Sequence, residues 1–141
     1  MRRYVVDSSI LVKWFNQENE RFLDQAAQIF QDLNSDKIEV ATPEFSILEV
    51  ANVLIFGKKV NEERVRVSIS DLLNLPIKFY HLEDSLINLA IEISTQTKIT
   101  VYDAVFLSLA RKEGCQLISD DKDHHLKVGG ETAIALKDYP L

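Results

Sequence analysis

Arg3-Tyr4-Val5-Val6-Asp7-Ser8-Ser9-Ile10-Leu11-Val12-Lys13-Trp14 decides how the chain is read. A short β-branched and aromatic run ends at an aspartate. Two serines follow, and then Ile10, Leu11, Trp14 and Phe15 fall at helical spacing. The pattern is strand, acid, helix. An aspartate at the carboxyl end of a strand stands where open α/β sheets gather their ligands and catalytic groups. Asp7 is therefore the first candidate member of a metal-binding acidic cluster, and the question for the rest of the chain is which carboxylates join it.

The 141 residues suit one domain, residues 1–141, large enough for a substantial core without disulfide staples. Apolar residues make up 46% and charged residues 27%, the balance of an ordinary globular protein. Cys115 is the single cysteine, so no intrachain disulfide forms, which fits a reducing cytoplasm. Asp7 interrupts the first apolar run too early for a signal peptide, and no window approaches the ~18 apolar residues of a membrane span. The net charge of −6 argues against sequence-indifferent nucleic-acid binding through a basic surface. Bound cations would neutralise part of an acidic site, so the charge weakens a nuclease reading without excluding it.

Alternation continues outward from the first strand. Helices are expected over about 9–16 and 20–33, a strand over 38–41, and a helix opened by Thr42 as N-cap with Pro43 at its first position, stopping near Gly57. Further helices are expected over 62–74, 84–97 and 104–112, with strands over 77–81 and 115–118 and a short edge strand within 132–135. Strands alternating with helices predict an α/β fold with a mainly parallel sheet.

Four acidic positions share one character: they stand at strand ends, at helix starts, or alone in apolar runs. Asp7 also suits a helix N-cap. Glu49 is the only charge in Phe45-Ser46-Ile47-Leu48-Glu49-Val50-Ala51-Asn52-Val53-Leu54, though an exposed stripe would accommodate it. Asp103 follows Thr100 at capping-box spacing, and capping does not exclude metal binding. Asp120-Asp121 ends the fourth strand as Asp7 ends the first, although an acidic turn reads the same way. Jointly, such carboxylates select Mg²⁺ or Mn²⁺, since no Cys/His set has zinc spacing. A metal pair so held activates water and stabilises the leaving oxygen of a phosphodiester.

These residues carry a resemblance to PIN-domain proteins, and within them to VapC-type toxin ribonucleases of toxin–antitoxin pairs. The matching stretches are Val5-Val6-Asp7-Ser8-Ser9 with Val12-Lys13-Trp14-Phe15; Thr42-Pro43-Glu44 leading to Leu48-Glu49-Val50-Ala51-Asn52-Val53-Leu54; Tyr102-Asp103-Ala104 with Leu107-Ser108-Leu109-Ala110; and Leu117-Ile118-Ser119-Asp120-Asp121. The resemblance implies a PIN-like α/β/α sandwich and a metal-dependent endoribonuclease, with Asp7, Glu49, Asp103 and Asp121 as catalytic and metal-holding quartet and Mg²⁺ or Mn²⁺ as cofactor. Ser119 falls on the family's supporting Thr/Ser. The family's last motif reads Thr-x-Asp with a small middle residue, whereas Asp120 stands in the middle here. Register favours Asp121 as the member facing the metal, with Asp120 in support. The resemblance also implies an RNA substrate, a cognate antitoxin seated along the helices around 56–67, and a homodimer in the cytoplasm.

His124 and His125, two loop histidines, are expected to be solvated. Trp14 and Phe15 are expected in the core, as is Cys115. Lys13, Lys58, Lys59, Arg111, Lys112, Lys122 and Lys127 are the candidate phosphate contacts. Two other readings stand beside the toxin: a PIN nuclease that processes RNA without a toxin role, and a non-catalytic Mg²⁺-binding scaffold. A receiver domain fits poorly, because serines follow Asp7 where an acidic pair is needed.

Overall fold

A computed structural model describes residues 1–141. The order is β1 (Arg2–Val6), α1 (Ser8–Phe15), α2 (Leu23–Asn34), β2 (Ile38–Pro43), α3 (Ser46–Asn52), a π-helical turn (Val53–Gly57), α4 (Glu62–Asn74), β3 (Ile77–Tyr80), α5 (Asp84–Thr97), α6 (Val101–Lys112), β4 (Gln116–Ser119), α7 (His125–Val128) and β5 (Ala133–Ala135). The five strands form one sheet in the order β3-β2-β1-β4-β5, and every pairing is parallel. No helix is long and apolar enough to cross a membrane.

The strands are apolar on both sides because helices cover both faces of the sheet. Tyr4, Val6, Val40 and Ile118 point into one core, shared with Ile10, Leu11, Ile29, Leu54 and Leu72 of the helices. Their neighbours Val5, Ala41 and Leu117 point the other way, into a second core with Leu86, Ala90, Phe106 and Leu107 of α5 and α6. The period of two along each strand therefore builds a three-layered α/β/α sandwich. From β1 the chain moves to β2 and β3 on one side, then returns to place β4 and β5 on the other. The carboxyl ends of β1 and β4 thus flank a topological switch point, where such sheets open a crevice.

The expected helix start at Thr42-Pro43 is corrected: both residues belong to β2, and α3 begins at Ser46. Long-range bonds override the local signal. The Thr42 hydroxyl donates to the Val6 carbonyl oxygen at 3.0 Å, and the Glu44 N–H donates to the Tyr80 carbonyl oxygen at 2.9 Å, carrying the pairing past the proline. The second helix starts at Leu23 rather than near residue 20, because Phe22 sits in the left-handed region with φ 56°. The helix ending near Gly57 widens into a π turn at Val53 before it stops. Trp14 packs against the first core, and its indole N–H donates to the Ala26 carbonyl oxygen at 2.8 Å.

Candidate functional site

Asp7 is fixed from four directions. It caps α1, its Oδ1 accepting from the Ile10 N–H at 3.3 Å and from the Ser9 hydroxyl at 2.5 Å. Its Oδ2 accepts from the Ser119 hydroxyl at 2.5 Å and lies 3.0 Å from His125 Nδ1. The side chain is a helix cap, one of the roles its position allowed, and is buried at 2% exposure. Burial works against its ionised form. The bond and charge of His125, with the two serine hydroxyls, outweigh that and hold the carboxyl below the usual carboxylate range.

Asp103 stands in the first turn of α6. Its N–H donates to Thr100 Oγ1 at 3.2 Å, and the Thr100 hydroxyl reaches the Asp103 carboxylate at 3.2 Å, so half of the capping box exists and the carboxylate stays half-buried. Asp121 follows β4; its N–H donates to Ser119 Oγ at 3.0 Å. The Asp121 carboxylate accepts from the His124 N–H at 3.1 Å. Carboxylate oxygens of Asp103 and Asp121 and a ring nitrogen of His124 all lie within 4.8 Å of one another, a grouping fit for a cation.

Glu49, on α3, brings the opposite kind of problem. Its Oε1 is buried with no hydrogen-bond partner. Burial pushes its carboxyl up to about 7; nearby Ser8 opposes the rise, and the charges of Asp103 and Asp7 add to it. Glu49 lines an open cleft of about 730 Å³ whose other walls include Phe45, Leu48, Tyr102 and Val105. A buried, unpartnered carboxylate oxygen within the influence of two further carboxylates is what a bound cation would relieve. The residues present therefore fit a divalent metal. The oxygens suit Mg²⁺ or Mn²⁺, and the exposed His124 ring lies beside them, its Nδ1 3.0 Å from an Asp121 oxygen.

Asp120 belongs elsewhere. It lies 3.3 Å from Lys13 Nζ and 3.5 Å from Arg21, turned into a separate charged cluster. Lys13 is buried there, with Nζ 2.7 Å from Glu20, and Lys58 closes the same group 2.7 Å from Glu20. Lys13 and Lys58 are thus committed to carboxylates rather than held ready for phosphate.

The expectation of two solvated histidines is half corrected. His124 is exposed, but His125 is buried at 3% exposure. Its Nδ1 lies 2.9 Å from Ser119 Oγ besides its contact to Asp7, and its Nε2 is 3.0 Å from the main-chain carbonyl oxygen of Asp103. Burial opposes its imidazolium, yet the Asp7 bond and the charges of Asp7, Asp103 and Asp121 prevail, so it titrates above its ordinary value. The one local signal was the apolar residue Leu126 and the Gly129-Gly130 pair just beyond it, which turn a short helix back onto the sheet.

The PIN domain family model matches residues 4–130. No curated protein sequence matches the chain. Among solved structures, VapC20 of Mycobacterium tuberculosis, described as a sarcin-ricin loop cleaving toxin, is similar at a TM-score of 0.70 and 17% identity, covering 90% of this chain and 95% of its own. VapBC2 of Rickettsia felis, bound to a DNA fragment from its promoter, matches at 0.72 and 14%, covering 94% and 98%. FitAcB of Neisseria gonorrhoeae matches at 0.71 and 8%, covering 96% and 99%. At these identities the likeness is one of fold.

Proposed function

The chain belongs to the PIN domain family, and on that footing we propose that it is a Mg²⁺- or Mn²⁺-dependent endoribonuclease, the toxin of a VapBC-type toxin–antitoxin pair. The observation that carries the reading is the unpartnered buried oxygen of Glu49 among the charges of Asp103 and Asp7. A purely structural cluster would have satisfied it.

In this reading Asp7, Glu49, Asp103 and Asp121 form the site and together would hold the metal. When bound, the cation supplies Lewis acidity, acidifying water and stabilising charge on the leaving oxygen of the phosphodiester. The chain's own residues do the positioning. Ser119 ties Asp7 to the turn that carries Asp121, since its hydroxyl donates to Asp7 and accepts from the Asp121 N–H. Thr100 orients the Asp103 carboxylate. Glu49 would turn its unpartnered oxygen to the cation, whose charge would offset the burial that raises its carboxyl.

Residues 1–141 act as one PIN-like domain, cytoplasmic, with an antitoxin as protein partner and a second copy of the chain as the other. Exposed Leu48, Ile55 and Phe56 beside the cleft support a protein partner, since contiguous apolar surface marks interaction sites. The test is cleavage of a panel of structured RNAs, including tRNAs and rRNA stem-loops, by purified protein with Mn²⁺, with Mg²⁺ and after chelation. Asp103→Asn should fold normally and lose cleavage by roughly a hundredfold or more. Undiminished cleavage by chelated protein, or by this variant, overturns the proposal.

A further inference from the structure

His125 has no part in the ligand set above, yet it is buried and held at both edges of its ring. Its ring packs edge-on against Phe106, with centroids 5.5 Å apart. A carbonyl oxygen only accepts, so Nε2 carries the hydrogen in the 3.0 Å bond to Asp103 O. The opposite edge of the ring meets Asp7 Oδ2 and Ser119 Oγ. One rigid ring therefore joins the ends of β1 and β4 to the first turn of α6.

We propose that His125 is a positioning residue that clamps the Asp7 carboxylate and the Asp103 main chain into one frame, fixing the spacing of the acidic site. The clamp needs a ring with nitrogens on two edges. An asparagine reaches only the Asp7 side and a glutamine only the Asp103 side. The close docking of α7 serves the same end. A Cβ on Gly129 would lie 2.5 Å from Ala133 Cβ and 2.6 Å from the His125 carbonyl oxygen, so only glycine there lets the helix carrying His125 settle onto β5. The clamp rests on the metal-site reading for its purpose, but its geometry stands without it.

The experiment pairs Mn²⁺ affinity, by isothermal titration calorimetry, with amide hydrogen exchange on the full chain for wild type and for His125→Ala, His125→Asn, His125→Gln and His125→Leu. His125→Ala should weaken Mn²⁺ binding by about ten- to a hundredfold. It should also speed exchange both at Ile10, whose N–H binds Asp7, and in the first turns of α6. His125→Asn should restore protection at Ile10 alone, and His125→Gln in α6 alone. A side chain that only fills space predicts instead that His125→Leu protects both regions as well as wild type. That result, or unchanged exchange and affinity in His125→Ala, overturns the clamp. Wild type that binds no Mn²⁺ sinks the metal-site reading, and the exchange pattern then decides the clamp by itself.

Discussion

Asp120 and Asp121 are consecutive residues at the end of one strand, and they live in different electrostatic worlds. Asp120 turns into the group formed by Lys13, Glu20, Lys58 and Arg21, where cations and carboxylates alternate. Asp121 turns toward Asp103 and His124, on the side where Glu49 keeps a buried oxygen without a partner. The first cluster is satisfied by its own members and needs nothing from outside. The second is left negative and incomplete. The difference separates charge used as architecture from charge held open for a ligand, and counting acidic residues would miss it.

The largest effect that could break this contrast is catalytic. Asp121→Asn should cut RNA cleavage by roughly a hundredfold with little change in melting temperature, whereas Asp120→Asn should cost stability and reduce cleavage by less than about tenfold. Equal losses of activity from both, measured on the same RNA, would erase the distinction.

Lys13→Met sharpens the other half. It strands Glu20 and Asp120 near a buried position, although Lys58 and Arg21 remain beside them. The expected cost is about 2–3 kcal/mol, a fall in Tm on the order of 5–10 °C in a thermal melt. A change of only a degree or so would mean that the cluster is surface decoration.

Glu49 gives the smallest and most specific effect. Its carboxyl rises from an ordinary 4.5 to about 7 on folding. A raised carboxyl is neutral in both states well below pH 4.5, and it penalises the metal-free fold progressively from pH 4.5 to about 7, above which the penalty is constant. Glu49→Gln should therefore stabilise metal-free protein at pH 8 by on the order of 1–2 kcal/mol, discounted for partial exposure. At pH 4 it should make no difference. Saturating Mn²⁺ should reverse the ranking at pH 8, stabilising wild type more than the variant. Denaturant melts at the two pH values check it.

Much of the layout was legible because it rests on local chemistry. Helices Glu62–Asn74 and Asp84–Thr97 carry their own periodicity, and Asn61 caps the first of them through the Arg64 N–H. The acids at the ends of β1 and β4 were legible because a parallel sheet exposes those ends together. What escaped depends on partners far along the chain. Pro43 stays in β2 because Tyr80 and Val6 hold its neighbours. Glu20 leaves the second helix for Lys13 and Lys58. Lys13 sits on a helix that reads as amphipathic, and only the fold shows that its charge is turned inward. His125 was missed for the same reason: its contacts to Asp7 and Asp103 lie 118 and 22 residues away.

The central place of β1 has a consequence for how the protein comes into being. The first strand pairs with β2 early in synthesis, but its other edge waits for β4. Asp7 and Ser119 stand 112 residues apart, on the order of ten seconds of translation. Through that interval a nascent chain carries Asp7 and Glu49 without their counterparts. Asp7 meets Ser119 and His125 only when the last quarter of the molecule emerges, so an unfinished or truncated chain is expected to lack the fixed carboxylate frame, and separately produced halves would regain it only on meeting.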